Sequence, residues 1–432
     1  MSPFPPMTSI RQVFPRHLPL DTRAVLAHEW EPLRGKIRPG AKIAIAVGSR
    51  GITGLAEIVA ETVRWLQAAG AAPFIIPAMG SHGGATLAGQ TEVLATYGVT
   101  AEALGVPVRA SLDVRRIGTL GHGVPVYCSE EALAADGIVI VNRVKPHTDF
   151  FSDTLGSGLL KMCVVGLGKR AGAAAMHGAA MRIGYETAIR GIAEVIEREA
   201  PLLAGVAIVE DQHHATARLR VMPRGRFAEE EAALLAEARR LLPLLPFEEI
   251  DLLVVDRIGK NISGAGLDPN VTGRAVHGYT TELGRLGRRA PFIRRIVVRD
   301  LTPETEGNAI GLGLADVTTT RVVRALDARK TYLNALTSLS PNSAKIPIHF
   351  DTDREAIARA LESLALDDPA GTARVVRIRN TLELSRLEVS TALLPEVRTQ
   401  AATLETEGTA ATWAFDAAGN LPADVAAEDP PR

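Results

Sequence analysis

Three short apolar runs, each closed by a polar or Gly-rich turn, constrain the fold of this chain more than any other feature. Residues 42–47 (KIAIAV) end in GSRGITG and lead into 55–69, whose apolar residues recur at helical spacing. Residues 73–77 (PFIIP) end in GSHGGAT and lead into a second helix over 87–97, with Thr86 as its N-cap. Residues 137–141 (GIVIV) form a third buried strand. Strands that alternate with helices through glycine-rich turns predict a parallel sheet covered on both faces, with ligands outside the carboxyl ends of the strands. The turns after strands ending near 47, 79 and 141 then converge on one crevice.

The alternation continues with an amphipathic helix over 183–199, a strand over 205–209 and a helix over 227–242. Two prolines in LPLLPFEE (242–249) interrupt the pattern and mark a domain boundary. A second α/β unit opens with DLLVVD (251–256), followed by the loop IGKNISGAGLDPNVTGR and by strands at 294–298 and 374–378. The expected fold class is α/β: two α/β domains with a cofactor and substrate crevice between them. The first spans 1–246, with a Pro-rich irregular arm over 1–40, and the second spans 247–418; residues 419–432 form a loose tail.

With 432 residues, two cores are expected rather than one. The formal net charge of −1, with both signs interspersed, argues against partners recognised by bulk charge, so neither nucleic acid nor a membrane surface is expected. Small-molecule chemistry follows. Two cysteines, Cys128 and Cys163, make no disulfide framework and read as small buried residues in a reducing compartment. No signal peptide or membrane span is present, so a soluble cytoplasmic protein is expected.

The chemistry concentrates in residues 144–178, VKPHTDFFSDTLGSGLLKMCVVGLGKRAGAAAMHG, a polar, glycine-rich stretch without a sustained period. His147 follows the GIVIV strand with Pro146 fixing the backbone before it, and His82 sits in the glycine turn after PFIIP; each is placed as a general acid or base or as a turn histidine bonded to a carbonyl. Two histidines on two strand ends suit proton transfer on both faces of one carbon, as racemisation or epimerisation needs. Lys161, among Leu159, Leu160 and Met162, is either a buried nucleophilic amine or a snorkelling lysine. His177, among small residues, is a metal ligand or a core histidine. In the second domain, the loop after DLLVVD reads as a lid or wall, with Arg274 a second anion contact, or as an ordinary solvated loop. The GLGLAD turn at 311–316 is a weak phosphate-loop signal, and His213 and His214 read as a surface turn.

PHT, SGLLKM and MH in this order, with GSHGGAT upstream and LDPNV in the second domain, resemble the lactate racemase family, enzymes that use a nickel-pincer nucleotide. The resemblance implies that Lys161 is joined covalently to the cofactor, pyridinium-3-thioamide-5-thiocarboxylic acid mononucleotide, and that His177, sixteen residues on, ligates its nickel. It implies His82 and His147 as the acid/base pair and Arg50 as the arginine facing the substrate carboxylate. Soft sulfur and carbon donors with one imidazole suit square-planar nickel. The sequence departs from the lactate enzymes in carrying Gly83 and Gly84 where they have Arg-Pro, and in a longer stretch between His147 and Lys161. The expectation is therefore a 2-hydroxy acid larger or more hydroxylated than lactate, such as a sugar acid. Expected partners are that substrate and, transiently, the cofactor-synthesis enzymes. Two other readings are a nicotinamide-dependent hydroxy acid dehydrogenase, whose G-x-G-x-x-G spacing VGSRGITG lacks, and a non-catalytic cofactor- or metal-binding protein.

Overall fold

The structure, a computed structural model, describes residues 4–48, 51–80, 86–277 and 290–427. The chain divides into two units. One joins Arg16–His147 to Ser152–Leu242; the other joins the residues up to Pro15, the short piece Thr148–Phe151 and the chain from Pro243 onward. Both are α/β in character. The expected arm is thus neither irregular nor part of the first unit in its opening residues: β1 (Met7–Gln12) is a strand of the second unit's sheet, and Thr22–Trp30 is a helix capped by Asp21.

In the first unit, β2 (Lys42–Val47) and β3 (Ala72–Pro77) are the two predicted strand–turn–helix starts. An antiparallel hairpin, β4 (Val114–Leu120) with β5 (Val124–Ser129), precedes β6 (Gly137–Arg143), β7 (Leu202–Glu210) and β8 (Thr216–Pro223). The main sheet runs β3-β2-β6-β7-β8; the first four strands are parallel and β8 returns antiparallel along β7. β2 and β3 each bury five successive residues because apolar groups pack on both faces. On one face Ile43, Ile45 and Val47 join Ile58, Val59 and Leu66 from the helix Leu55–Ala68. Trp30 stacks on Trp65 beside them, ring centroids 5.2 Å apart. Every parallel strand of this sheet ends its carboxyl terminus on one edge, and that edge carries the site.

The second unit has β9 (Glu249–Ile258), β10 (Phe292–Leu301), β11 (Val317–Thr319), β12 (Ile348–Phe350), β13 (Val375–Ile378), β14 (Arg386–Ser390) and β15 (Leu404–Ala411). Their order is β12-β11-β10-β9-β13-β14-β1-β15, parallel from β12 to β13 and antiparallel beyond. Buried at its centre, Asp256 of β9 bonds Arg299 of β10 at 2.6 Å and Arg377 of β13 at 2.8 Å, and Arg299 also bonds Asp353 at 2.8 Å. The expected loose tail is instead held by this network over its described part. Arg299 donates to Leu421 O, Leu421 N to Asp353, and Val425 N to Asp256, so the tail's amides satisfy acids that would otherwise be buried half-paired. Among the described residues no helix is long and apolar enough to cross a membrane.

Candidate functional site

The site begins where β6 leaves the first unit's sheet. Lys145 and Ser157 exchange two backbone hydrogen bonds, 3.1 and 2.7 Å, which close the intervening residues into a loop. Gly156 makes this possible, because a Cβ there would lie 2.3 Å from Lys145 O. Asn142, the penultimate residue of β6, donates its Nδ2 N–H to Gly158 O at 3.0 Å. The two feet of the loop are thereby fixed side by side. His147 stands just past one foot and Lys161 just past the other, and Lys161 Nζ lies 2.6 Å from His147 Nε2. His147 is 3% exposed and Lys161 half-buried.

Lys161 closes a single helical turn, Leu159–Lys161, that continues as a π-helical segment, Met162–Leu167. Such segments are rare and concentrate at functional positions. This one lies across the ends of the parallel strands. A Cβ on Gly48, after β2, would sit 3.1 Å from Met162 Cε, and one on Gly80, after β3, 2.9 Å from Val165 Cγ1. The glycines of the strand-end turns therefore admit the Lys161 segment as much as they admit ligand. Next comes the helix Lys169–Ile183, a correction to the expectation of no helical period across 144–178; its Ala and Gly residues offer too little apolar contrast for a period to show. His177 is in this helix. Gly184, at φ +83°, ends it, and a second helix, Tyr185–Glu199, begins, where one helix from 183 was expected. Tyr185 connects the two histidines, its ring centroid 5.9 Å from that of His147 and 6.2 Å from that of His177. The loop between His147 and Lys161 is pinned from outside: Arg190 donates to Thr154 O at 3.2 Å, Thr154 Oγ1 donates to Glu186 at 3.0 Å, and Arg239 bonds Asp153 at 2.8 Å.

Two buried charged residues that residue type and spacing did not point to stand behind this arrangement. Glu231, in the helix Phe227–Arg240, is 0% exposed and accepts Leu160 N–H on Oε2 at 3.0 Å. It has no ion-pair partner among the described residues. Burial pushes its carboxyl up to about 7, with the Leu160 and Leu159 amides and Arg190 offsetting part of the effect. The signal was available: Phe227, Glu231, Leu234 and Ala238 share one buried helix face, so Glu231 is a carboxylate at a core position. Lys169 is 2% exposed, donates Nζ to Pro77 O at the end of β3, and sits at φ +52°, a left-handed conformation uncommon for a side-chain-bearing residue. Burial lowers its amine to about 8. The thiols of Cys128 and Cys163 are buried and pushed up by burial, the first to about 12, so neither is a poised nucleophile.

Of the expected site residues, His147, Lys161 and His177 come together in the first unit, while His82 and Arg50 lie outside the described residues. Arg274 belongs to the second unit and is engaged there: it bonds Asp316 at 2.6 Å and the carbonyls of Ile293 and Arg294 at 3.3 Å, so its charge is already matched by a carboxylate. The GLGLAD glycines serve packing rather than an open phosphate cradle. A Cβ on Gly311 would lie 2.1 Å from Ala265 O, and one on Gly313 2.0 Å from Asn342 O. His213 and His214 occupy the turn between β7 and β8, where Asp211 accepts His213 N–H at 2.9 Å. Among the described residues no three His, Cys, Asp or Glu side chains cluster as a metal site of protein ligands alone requires.

No family model matches the sequence, and no curated protein matches it. Among solved structures, the lactate racemase apoprotein of Thermoanaerobacterium thermosaccharolyticum superposes with a TM-score of 0.53 over 87% of this chain and 98% of that one, at 15% identity. A Thermotoga maritima protein solved by a structural genomics consortium gives a TM-score of 0.48 over 77% and 83% of the two chains, also at 15% identity. The chain shares the fold of the racemase apoprotein.

Proposed function

We propose that this chain is an isomerase, a racemase or epimerase acting at C2 of a 2-hydroxy acid, with a nickel-pincer nucleotide tethered at Lys161 and its nickel ligated by His177. The observation that carries this reading is the 2.6 Å contact between Lys161 Nζ and His147 Nε2, with Tyr185 joining that pair to His177. An amine for covalent attachment, an imidazole for a metal and an imidazole for proton transfer thus occupy one strand-end site. The donor set fits the group: the chain offers one imidazole at His177, so a metal there would bring its remaining donors with it. The shared fold with a lactate racemase apoprotein adds support.

When bound, the group would supply a soft-donor nickel centre and a hydride-accepting pyridinium ring. The chain's own residues do the rest. His147 Nε2 accepts the C2 hydroxyl proton of one enantiomer or epimer, and His82 does so for the other. Lys161, held as the nitrogen of the cofactor's thioamide, would no longer present a free amine to His147 Nε2. Arg50 holds the substrate carboxylate through its two-pronged guanidinium. Arg274, paired with Asp316, is given no substrate role. Burial of His147 and the closed loop before Lys161 keep bulk water from competing for the same proton. Gly83 and Gly84 favour a substrate larger or more hydroxylated than lactate.

The test is the intact mass of the protein made together with the cofactor-synthesis enzymes and nickel. An adduct on Lys161 that is lost in K161A, and nickel that is lost in H177A, are expected. Interconversion of single-enantiomer 2-hydroxy acids, abolished in H147A, then identifies the substrate. A protein that never gains mass at Lys161, and whose nickel content does not depend on His177, overturns the proposal.

A further inference from the structure

We infer that Glu231 is the positioning residue of the Lys161 turn, setting where the lysine amine meets His147. The turn is seated at three points. Leu159 is wedged into the core, where a Cβ on Gly205 would lie 2.6 Å from its Cδ1. Gly158 O takes the Asn142 amide at 3.0 Å, and Leu160 N–H donates to Glu231 at 3.0 Å. Of the three, the Glu231 contact acts on the residue next to Lys161. It is also the one whose acceptor belongs to a fully buried side chain, so that losing it leaves the Leu160 amide without its buried partner. Gly158 makes room for it: a Cβ at that position would lie 2.4 Å from the Glu231 carboxyl carbon and from Oε1. Glu231 reaches the turn from the helix Phe227–Arg240, whose Phe227 ring packs toward Gly205 one turn earlier, so its own placement is fixed by the core. Hydrogen-bond distances tolerate only about half an ångström, so a turn released at Leu160 carries Lys161 Nζ out of reach of His147. The upward shift of the Glu231 carboxyl supports a side chain held in place against the cost of its burial.

The inference depends on Lys161 as cofactor anchor only in its second readout. The first uses the full chain without cofactor. Lys161 is acetylated with acetic anhydride, and its labelling rate is measured by peptide mass spectrometry against exposed Lys36 as internal standard. E231A changes the Lys161 rate by about tenfold, as loss of a buried hydrogen-bond acceptor implies, while Lys36 is unchanged. E231Q, which keeps an acceptor at the same reach, stays within about twofold of the natural chain. E231D keeps the charge but falls one methylene short and behaves like E231A; so does G158A, whose Cβ takes the carboxylate's place. The Gln and Asp variants decide the matter if E231A does not fold. Labelling of E231A at the natural rate, or an E231D that matches the natural chain while E231Q does not, overturns the inference. In the second readout, adduct mass on Lys161 falls in E231A and E231D and recovers in E231Q. An adduct absent from the natural chain as well removes the anchor reading and leaves the labelling result to stand or fall by itself.

Discussion

Replacing Glu231 by Gln makes a quantitative demand on the fold. A carboxyl whose ordinary value is 4.5 and whose buried value is about 7 binds its proton more tightly in the folded chain than in the unfolded one. Between those two values the folded state holds more protons, so stability falls as pH rises. The contribution is complete below about 4.5 and lost by the time pH passes 7, and 2.5 pH units correspond to about 3 kcal/mol at 1.36 kcal/mol per unit. E231Q has no proton to lose there. Its stability relative to the natural chain therefore rises by about 3 kcal/mol between pH 4.5 and 7.5, whatever the constant offset from its buried amide. Urea unfolding in a W413F background measures this directly, because Trp30 and Trp65 then report only the unit that holds Glu231. A difference between the two chains that stays flat to within about 1 kcal/mol across that range, or that changes in the opposite sense, refutes the picture of a carboxylate ionising in a desolvated site.

Lys169 makes the mirror-image prediction. Its folded value of about 8 lies below the ordinary 10.5, so the unfolded state binds more protons between them and stability rises with pH over that window by about 3 kcal/mol; K169M removes the rise in the same urea assay. D353A strips one acid from buried Arg299 and from the 419–427 segment the acceptor of Leu421 N–H. A loss of about 3–5 kcal/mol in the second unit, read from Trp413 fluorescence, and new protease cleavage within that segment are expected. G156A forces a Cβ onto Lys145 O and should cost about 1–3 kcal/mol. In the labelling experiment it should also uncouple Lys161 from His147, with an effect as large as that of E231A. Y185F keeps the ring between the two histidines and should leave adduct formation at Lys161 intact, whereas Y185A should reduce it.

The strands that were legible are the ones buried on both faces. β2, β3, β6 and β9 are nearly continuous apolar runs, and such runs have few alternatives. β4 buries none of its residues and β15 only Leu404, and neither shows a clean alternation, so nothing local distinguishes them from loops. β1 is a strand because it pairs with β14 and β15, whose residues lie more than 370 positions away; no local pattern encodes that partnership. The tail fails for the same reason, since its order comes from Asp256, Arg299 and Asp353 on other elements. In the site, His147, Lys161 and His177 were visible as reactive side chains in glycine-rich surroundings. Tyr185 was not, because its significance is a tertiary position between two rings. The π-helical segment has no sequence period of its own.

The placement of charge separates the two units. In the second, the ions buried at the centre of the sheet meet their opposites: Asp256 has the guanidinium groups of Arg299 and Arg377, and Arg299 the carboxylates of Asp256 and Asp353, so desolvation is met by close ion pairs. In the first, among the described residues, Glu231 and Lys169 are each hydrogen-bonded to backbone groups and to no opposite charge, and near neutral pH each costs the fold about 3 kcal/mol. A glutamine and a methionine would fill the same space without that cost. Both charges bear on the stretch 144–178: one holds the residue before Lys161, and the other ties the start of the His177 helix to the end of β3, from which the chain runs on toward His82. Uncompensated burial at those two points is what a site needs if it must hold an amine and an imidazole 2.6 Å apart and keep them there. The E231Q and K169M titrations measure that cost. If both prove flat while K161A and H147A still abolish their respective functions, the site is held by packing alone and the two charges belong to the scaffold.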